Sequence, residues 1–192
     1  MMPPAADAGI LPRLRAETRP YHDALEATPF NAALSAGTLT AADTRQFLAK
    51  MYGFMQPCEA QLRAHEALFG PEWELPARYR AHLILSDLGL DPAAPGLPLC
   101  PALPPLDSWP RLLGALYVLE GSTLGGQVIA RQLGKAGIGA SRYFAGAGAL
   151  TGPRWKSFCQ LLTAAAPATD EAELVASASR TFQSLHAWLL SS

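Results

Sequence analysis

The sequence predicts an all-α fold, and three observations carry the prediction. Apolar residues recur at helical spacing, valine and isoleucine never gather into alternating strand-like runs, and alanine and leucine dominate the composition. A chain of 192 residues buries enough apolar surface to fold without a disulfide or a structural metal. We expect about six to eight helices, of ordinary globular length, in one domain over residues 13–190, preceded by a flexible segment over 1–12.

Taken in order, the elements have specific signals. A first helix covers the stretch beginning at Leu14, with Pro20 either kinking it or moving its start to near Thr18. Thr40 is an N-cap, with Asp43 in capping-box position, for a helix through Phe47, Leu48, Met51, Tyr52 and Met55. Pro57 should interrupt or kink that helix before the apolar pattern resumes at Ala60, Leu62 and Leu68. Residues 76–88 read as another helix, closed by Gly89. Six prolines between Asp91 and Trp109 then make residues 91–108 a stiff surface loop within the domain. Ser108 caps a long helix running to about Gly134, with Pro110 tolerated in its first turn. Glycines and Pro153 mark a loop over 137–153, and helices near 153–166 and 169–190 finish the chain.

Composition excludes several classes. Hydrophobic residues are 49% and charged ones 16%, against intrinsic disorder. Fifteen Lys+Arg against 16 Asp+Glu leave a net charge of −1 and no positive field for nucleic acid. No uninterrupted apolar run approaches the roughly 20 residues of a membrane span. The first residues carry no basic region followed by an apolar stretch, so no secretory signal is expected. Cys58, Cys100 and Cys159 form no CxxC pair and read as free thiols of a reducing compartment, so the expected location is the cytoplasm.

Two stretches carry chemistry. In the first, Arg15, Arg19, His22 and Glu26 share one helical face, beside an inward stripe of Leu14, Thr18, Tyr21 and Leu25. A carboxylate one turn beyond His22 can accept the Nδ1 proton and leave Nε2 free as a metal ligand. The two arginines suit the carboxylates of an anionic ligand. The plainer alternative is a surface His–Glu pair worth a few tenths of a kcal/mol. In the second, the helix over 112–134 contains Gly114, Gly121, Gly125, Gly126 and Gly134. Each interior glycine costs roughly 1 kcal/mol relative to alanine, a cost that a helix normally avoids unless something approaches its backbone closely. Gly121 and Gly125 lie on one face, which suits either tight helix–helix packing or a flat ligand.

Together, RxxTxxxHxxLE over residues 15–26 and, about 90 residues later, LYVLEGSTLGGQV resemble the heme oxygenase family, in particular its bacterial biliverdin-forming branch. The likeness covers roughly residues 13–190. It implies an all-α fold with heme between a proximal and a distal helix, and His22 as axial ligand of the iron with Glu26 as its partner. It places Gly121, Ser122, Gly125 and Gly126 in the distal pocket, and Arg15, Arg19, Tyr117 and Lys156 at the heme propionates. Many members carry an aspartate where this chain has Ser122, which leaves Ser122, Gln127 and Arg131 as candidates for organising distal water.

The implied reaction opens heme, as substrate and cofactor together, to biliverdin with release of CO and iron. It consumes O2 and electrons from a separate reductase or ferredoxin, since no nicotinamide or flavin fingerprint is present. A biliverdin-using photoreceptor is a candidate downstream partner. The alternatives are a non-catalytic heme carrier or sensor on the same scaffold, and a helical protein that binds no heme and uses its glycines for packing or dimerisation. His65, His82 and His186 read as surface or core histidines, Cys100-Pro101 as part of the proline-rich loop, and the four tryptophans as core aromatics. No Glu-x-x-His pair points to a di-iron bundle.

Overall fold

A computed structural model describes residues 9–139 and 142–191, and among these no strand occurs. Eight α-helices follow one another: α1 Ile10–Glu26, α2 Pro29–Ala36, α3 Ala41–Ala64, α4 Ala81–Leu88, α5 Trp109–Lys135, α6 Arg142–Ala145, α7 Thr151–Ala165 and α8 Glu171–Leu190. Most of the expected flexible segment over 1–12 lies outside the described residues. Its last residues differ from the expectation, because α1 begins at Ile10, which is buried in the core.

Helix α5 is the axis of the fold. Its first half is buried without a break from Leu112 to Glu120, and it packs against α8, α6 and α7. It is long and apolar enough to cross a membrane, but most of its apolar stretch is buried inside the protein as a core helix is. Helix α8 packs on both α5 and α1 and so spaces those two apart.

The prolines inside helices do not break them. Helix α1 runs through Pro20, and α3 runs through Pro57 to Ala64, so neither the late start near Thr18 nor an interruption after Met55 occurs. Pro57 offers no N–H to the carbonyl of Gly53 one turn before it. That freed carbonyl accepts from the Cys100 N–H of the proline-rich segment at 2.8 Å. A Cβ on Gly53 would run into the carbonyl of Pro98 and the Trp188 ring, so the glycine lets the segment lie flat on α3. Ser184 of α8 donates to the Ala102 carbonyl at 2.7 Å and pins the same segment from the other side. Leu68 is exposed in a short 3-10 turn after α3 rather than on the helix face where the spacing put it.

Other boundaries move where a cap comes from far away in sequence. The Thr40–Asp43 capping box forms in both directions, at 2.9 and 3.1 Å. The expected helix over 76–88 is split. Leu75–Arg78 forms a 3-10 turn, and α4 starts only at Ala81, where the buried Glu59 carboxylate of α3 accepts from the Arg80 and Ala81 N–H groups at 2.6 and 3.0 Å. The expected loop over 137–153 contains α6, whose Arg142 and Tyr143 N–H groups are held by the Asp87 carboxylate at 3.1 and 2.9 Å. Helix α7 begins at Thr151, with Pro153 inside its first turn, where a missing N–H costs nothing.

A candidate ligand groove between two helices

Helices α1 and α5 lie side by side on α8 and leave a groove between them. Its register is fixed at two levels. At one end Arg15 and Thr18 of α1 sit beside the Tyr117 hydroxyl of α5. Further along, Leu25 of α1 shares an apolar cleft of about 120 Å³ with Ser122, Gly126 and Ile129 of α5 and Leu185 and Leu189 of α8. Residues 15–18 lie level with 117 and residue 25 with 122–129, so the helices run in the same direction. His22 falls between residues 18 and 25 along α1, as Gly121 falls between residues 117 and 122 along α5.

The α1 wall is polar and open. Leu14 and Thr18 are buried and Tyr21 and Leu25 half-buried, which turns His22 to the edge of the packed stripe as the spacing predicts. Its ring meets Phe182 of α8 edge-on, with centroids 6.0 Å apart. Glu26 stands 3.7 Å from Nδ1, within ion-pair reach but beyond hydrogen-bonding distance, with both side chains exposed. Asp23 joins them as a third exposed group with metal-ligating atoms.

The α5 wall is bare. A Cβ on Gly125 would meet nothing within 4 Å, and one on Gly121 would reach only ordinary contact with Trp155 at 3.7 Å. Leu124 and Val128 flank them and are exposed. The packing expectation is met by other glycines. A Cβ on Gly114 would collide with the backbone of Leu174 and Ala178 on α8, and one on Gly126 with the Phe144 carbonyl at 2.7 Å. Gly126, placed in the distal pocket by the resemblance, therefore both lines the apolar cleft and seats α6 against α5.

The expected anion end is divided. Tyr117 is buried, which raises its hydroxyl pKa, while Arg15 and Thr18 beside it act the other way. Arg19, by contrast, pairs with Asp23 at 3.1 Å and holds 76% of its side chain in solvent. Lys156 is exposed on α7. Among the candidates for organising water, Gln127 is occupied by the Gly148 carbonyl at 2.6 Å and Arg131 is exposed. The residue that does reach Ser122 is Arg80, whose Nη2 donates to the Ser122 Oγ at 2.8 Å and to the Leu119 carbonyl at 2.7 Å. Nothing around residue 80 signals this in the sequence, because the contact spans 42 residues and belongs to no local motif.

This architecture defines the class first: an all-helical protein with a groove between α1, which carries an exposed histidine, and α5, which carries a strip of bare backbone. Known structures place that class more closely. A heme oxygenase from Leptospira interrogans superposes with a TM-score of 0.73 at 19% identity, covering 95% of this chain and 98% of that one. The NO- and CO-bound heme oxygenase of Neisseria meningitidis gives 0.70 at 22% identity, covering 94% of this chain and 90% of that one. No family model and no curated protein sequence matches the chain. The protein thus has the heme oxygenase fold, over nearly its whole length.

Proposed function

We propose that the protein is a heme oxygenase, opening heme to biliverdin with release of CO and iron from O2 and electrons delivered by a reductase or ferredoxin. The observation that supports this reading is a pair of glycines on α5 that no packing neighbour requires, together with an exposed histidine on α1. A helix keeps two glycines without packing neighbours, at roughly 1 kcal/mol each, where a flat group is to lie close to its backbone.

The residues present suit heme. His22 offers an imidazole nitrogen toward the groove, and Glu26 on the Nδ1 side leaves Nε2 as the free ligand atom. Phe182 and Leu185 supply an apolar floor. Arg15 and Tyr117 offer charge-assisted and neutral hydrogen bonds to carboxylates at one end, with Arg19 and Lys156 able to swing in from solvent. When bound, heme supplies the redox chemistry, and the protein supplies ligation, orientation and exclusion of water. Binding must widen the groove, because its 120 Å³ cleft is well below the roughly 300–1,000 Å³ of ordinary ligand pockets.

Heme titration of the wild type and of His22→Ala tests the ligand, and aerobic turnover with pigment identification tests the activity. The expected result is one equivalent bound with an imidazole-type spectrum, lost in the variant and restored by added imidazole, and biliverdin as product. An unchanged spectrum in His22→Ala removes His22 as ligand. A His22-dependent complex that yields no biliverdin makes the protein a heme carrier or sensor.

A further inference from the structure

We propose that Arg80 is a positioning residue of this groove, locking the Ser122 hydroxyl so that it can only accept a hydrogen bond from whatever lies over Gly121 and Gly125. The inference rests on the heme oxygenase reading and deepens it.

The hydroxyl of Ser122 has one hydrogen and two lone pairs. Its hydrogen goes to the Leu119 carbonyl at 2.7 Å, and one lone pair is taken by Arg80 Nη2 at 2.8 Å. One acceptor position remains. A guanidinium has no lone pair to offer and stays protonated at any working pH, so the polarity of the arrangement cannot invert while Arg80 is in place. A neutral serine alone would turn its hydroxyl freely and donate as readily as accept.

Arg80 is itself held. Only 6% of it is exposed, its N–H is fixed to the Glu59 carboxylate at 2.6 Å, and its guanidinium lies 5.1 Å over the Tyr143 ring. The side chain cannot leave Ser122 without losing the Leu119 bond as well. Its Nε is buried and has no protein partner. Arg80 is also the one residue shared by the walls of two clefts, the apolar one with Ser122 and Gly126 and a polar one of about 140 Å³ lined by Arg78, Glu120 and Thr151. It thus forms part of the wall between these two clefts. The consequence for the reaction is directional. Ser122 presents a hydrogen-bond acceptor to the groove and no donor.

The test is a double-mutant cycle read in the carbon monoxide complex of the ferrous heme-loaded protein, where the C–O stretching frequency reports the local polarity. Arg80→Gln is measured in the wild type and in the Ser122→Ala background, with Arg80→Lys as a second probe and apo melts to show that each variant is folded. Arg80→Gln should shift the frequency in the wild type and lose more than half of that shift in Ser122→Ala, because Arg80 acts through the serine. A merely structural arginine moves the melt and leaves the frequency alone. No shift, or a shift of half or more that survives in Ser122→Ala, overturns the proposal, and the lysine variant is judged by the same criterion if the glutamine one unfolds. A wild type with no His22-dependent complex sinks both readings. A normal complex with an uncoupled Arg80 sinks only this one.

Discussion

Helix α5 carries glycine for two opposite reasons, and the difference shows what a glycine pattern can and cannot say. Gly114 and Gly126 are placed where a neighbouring backbone leaves no room for a methyl. Gly121 and Gly125, between them in sequence, are placed where the described structure leaves room to spare. The first pair recovers its helix penalty through close packing of α5 on α8 and of α6 on α5. The second pair has no such neighbour, and under the proposed function its cost of roughly 1 kcal/mol per residue is offset by the ligand that lies over it. From sequence the two pairs are alike. Only the position of the neighbours separates them.

Substitution by alanine at each site breaks or sharpens that contrast. The largest loss is expected at Gly114, where the new methyl meets backbone atoms of α8 that cannot rotate away. Overpacking of a helix crossing costs roughly 1–3 kcal/mol, and this site belongs at the upper end, so Gly114→Ala should lower the apo melting temperature by several degrees or prevent folding. At Gly126 the methyl meets a single carbonyl at 2.7 Å on the four-residue α6, a short element able to move. Gly126→Ala should cost about 1 kcal/mol and loosen α6, which hydrogen exchange of the Tyr143 and Phe144 amides would read. Equal melts for Gly114→Ala and the wild type would mean that the helix crossing yields more easily than its geometry indicates.

The same contrast repeats on α1. Arg15 stands beside Tyr117, whereas Arg19 is spent on Asp23 in solvent. Arg15→Ala should weaken heme binding by about 1 kcal/mol, near five-fold, and shift the mixture of biliverdin isomers as the heme turns in its plane. Arg19→Ala should do distinctly less, since an exposed i, i+4 pair contributes only a few tenths of a kcal/mol. A reversed order of the two variants would show that α1 rotates on binding and brings Arg19 inward.

The elements that could be read from sequence were those specified locally. The capping box at Thr40, the Gly89 stop, the long helix after Ser108 and the inward stripe of α1 are each written within a few residues of themselves. The misplacements share one cause, a partner distant in the chain. Glu59 starts α4 late, Asp87 seeds α6 inside an expected loop, and the Cys100 N–H repairs α3 at Pro57. The site divides in the same way. That His22 shares an exposed face with Glu26, and Gly121 one with Gly125, is legible from helical spacing because α1 and α5 are continuous helices there. Arg80 is not, since it reaches Ser122 across 42 residues and from a turn with no periodicity. The different fates of Arg15 and Arg19 escape for a related reason: one helical face does not say which of its members meets the neighbouring helix.

The smallest effect on stability is expected at Gly125, and it is the most informative. No neighbour opposes a methyl there, and alanine is the better helix former by up to about 1 kcal/mol, so the apo melt of Gly125→Ala should be unchanged or slightly raised. In the proposed heme complex the same methyl projects from the bare backbone that serves as the distal wall. It should crowd whatever binds over the heme, displace water from Ser122 and lower single-turnover biliverdin yield, while the His22-dependent spectrum persists. Stability and turnover then move in opposite directions, which no packing role for Gly125 can produce. A destabilised Gly125→Ala that still turns over normally would place this glycine with Gly114 and Gly126 and leave the distal wall of the groove to be sought elsewhere.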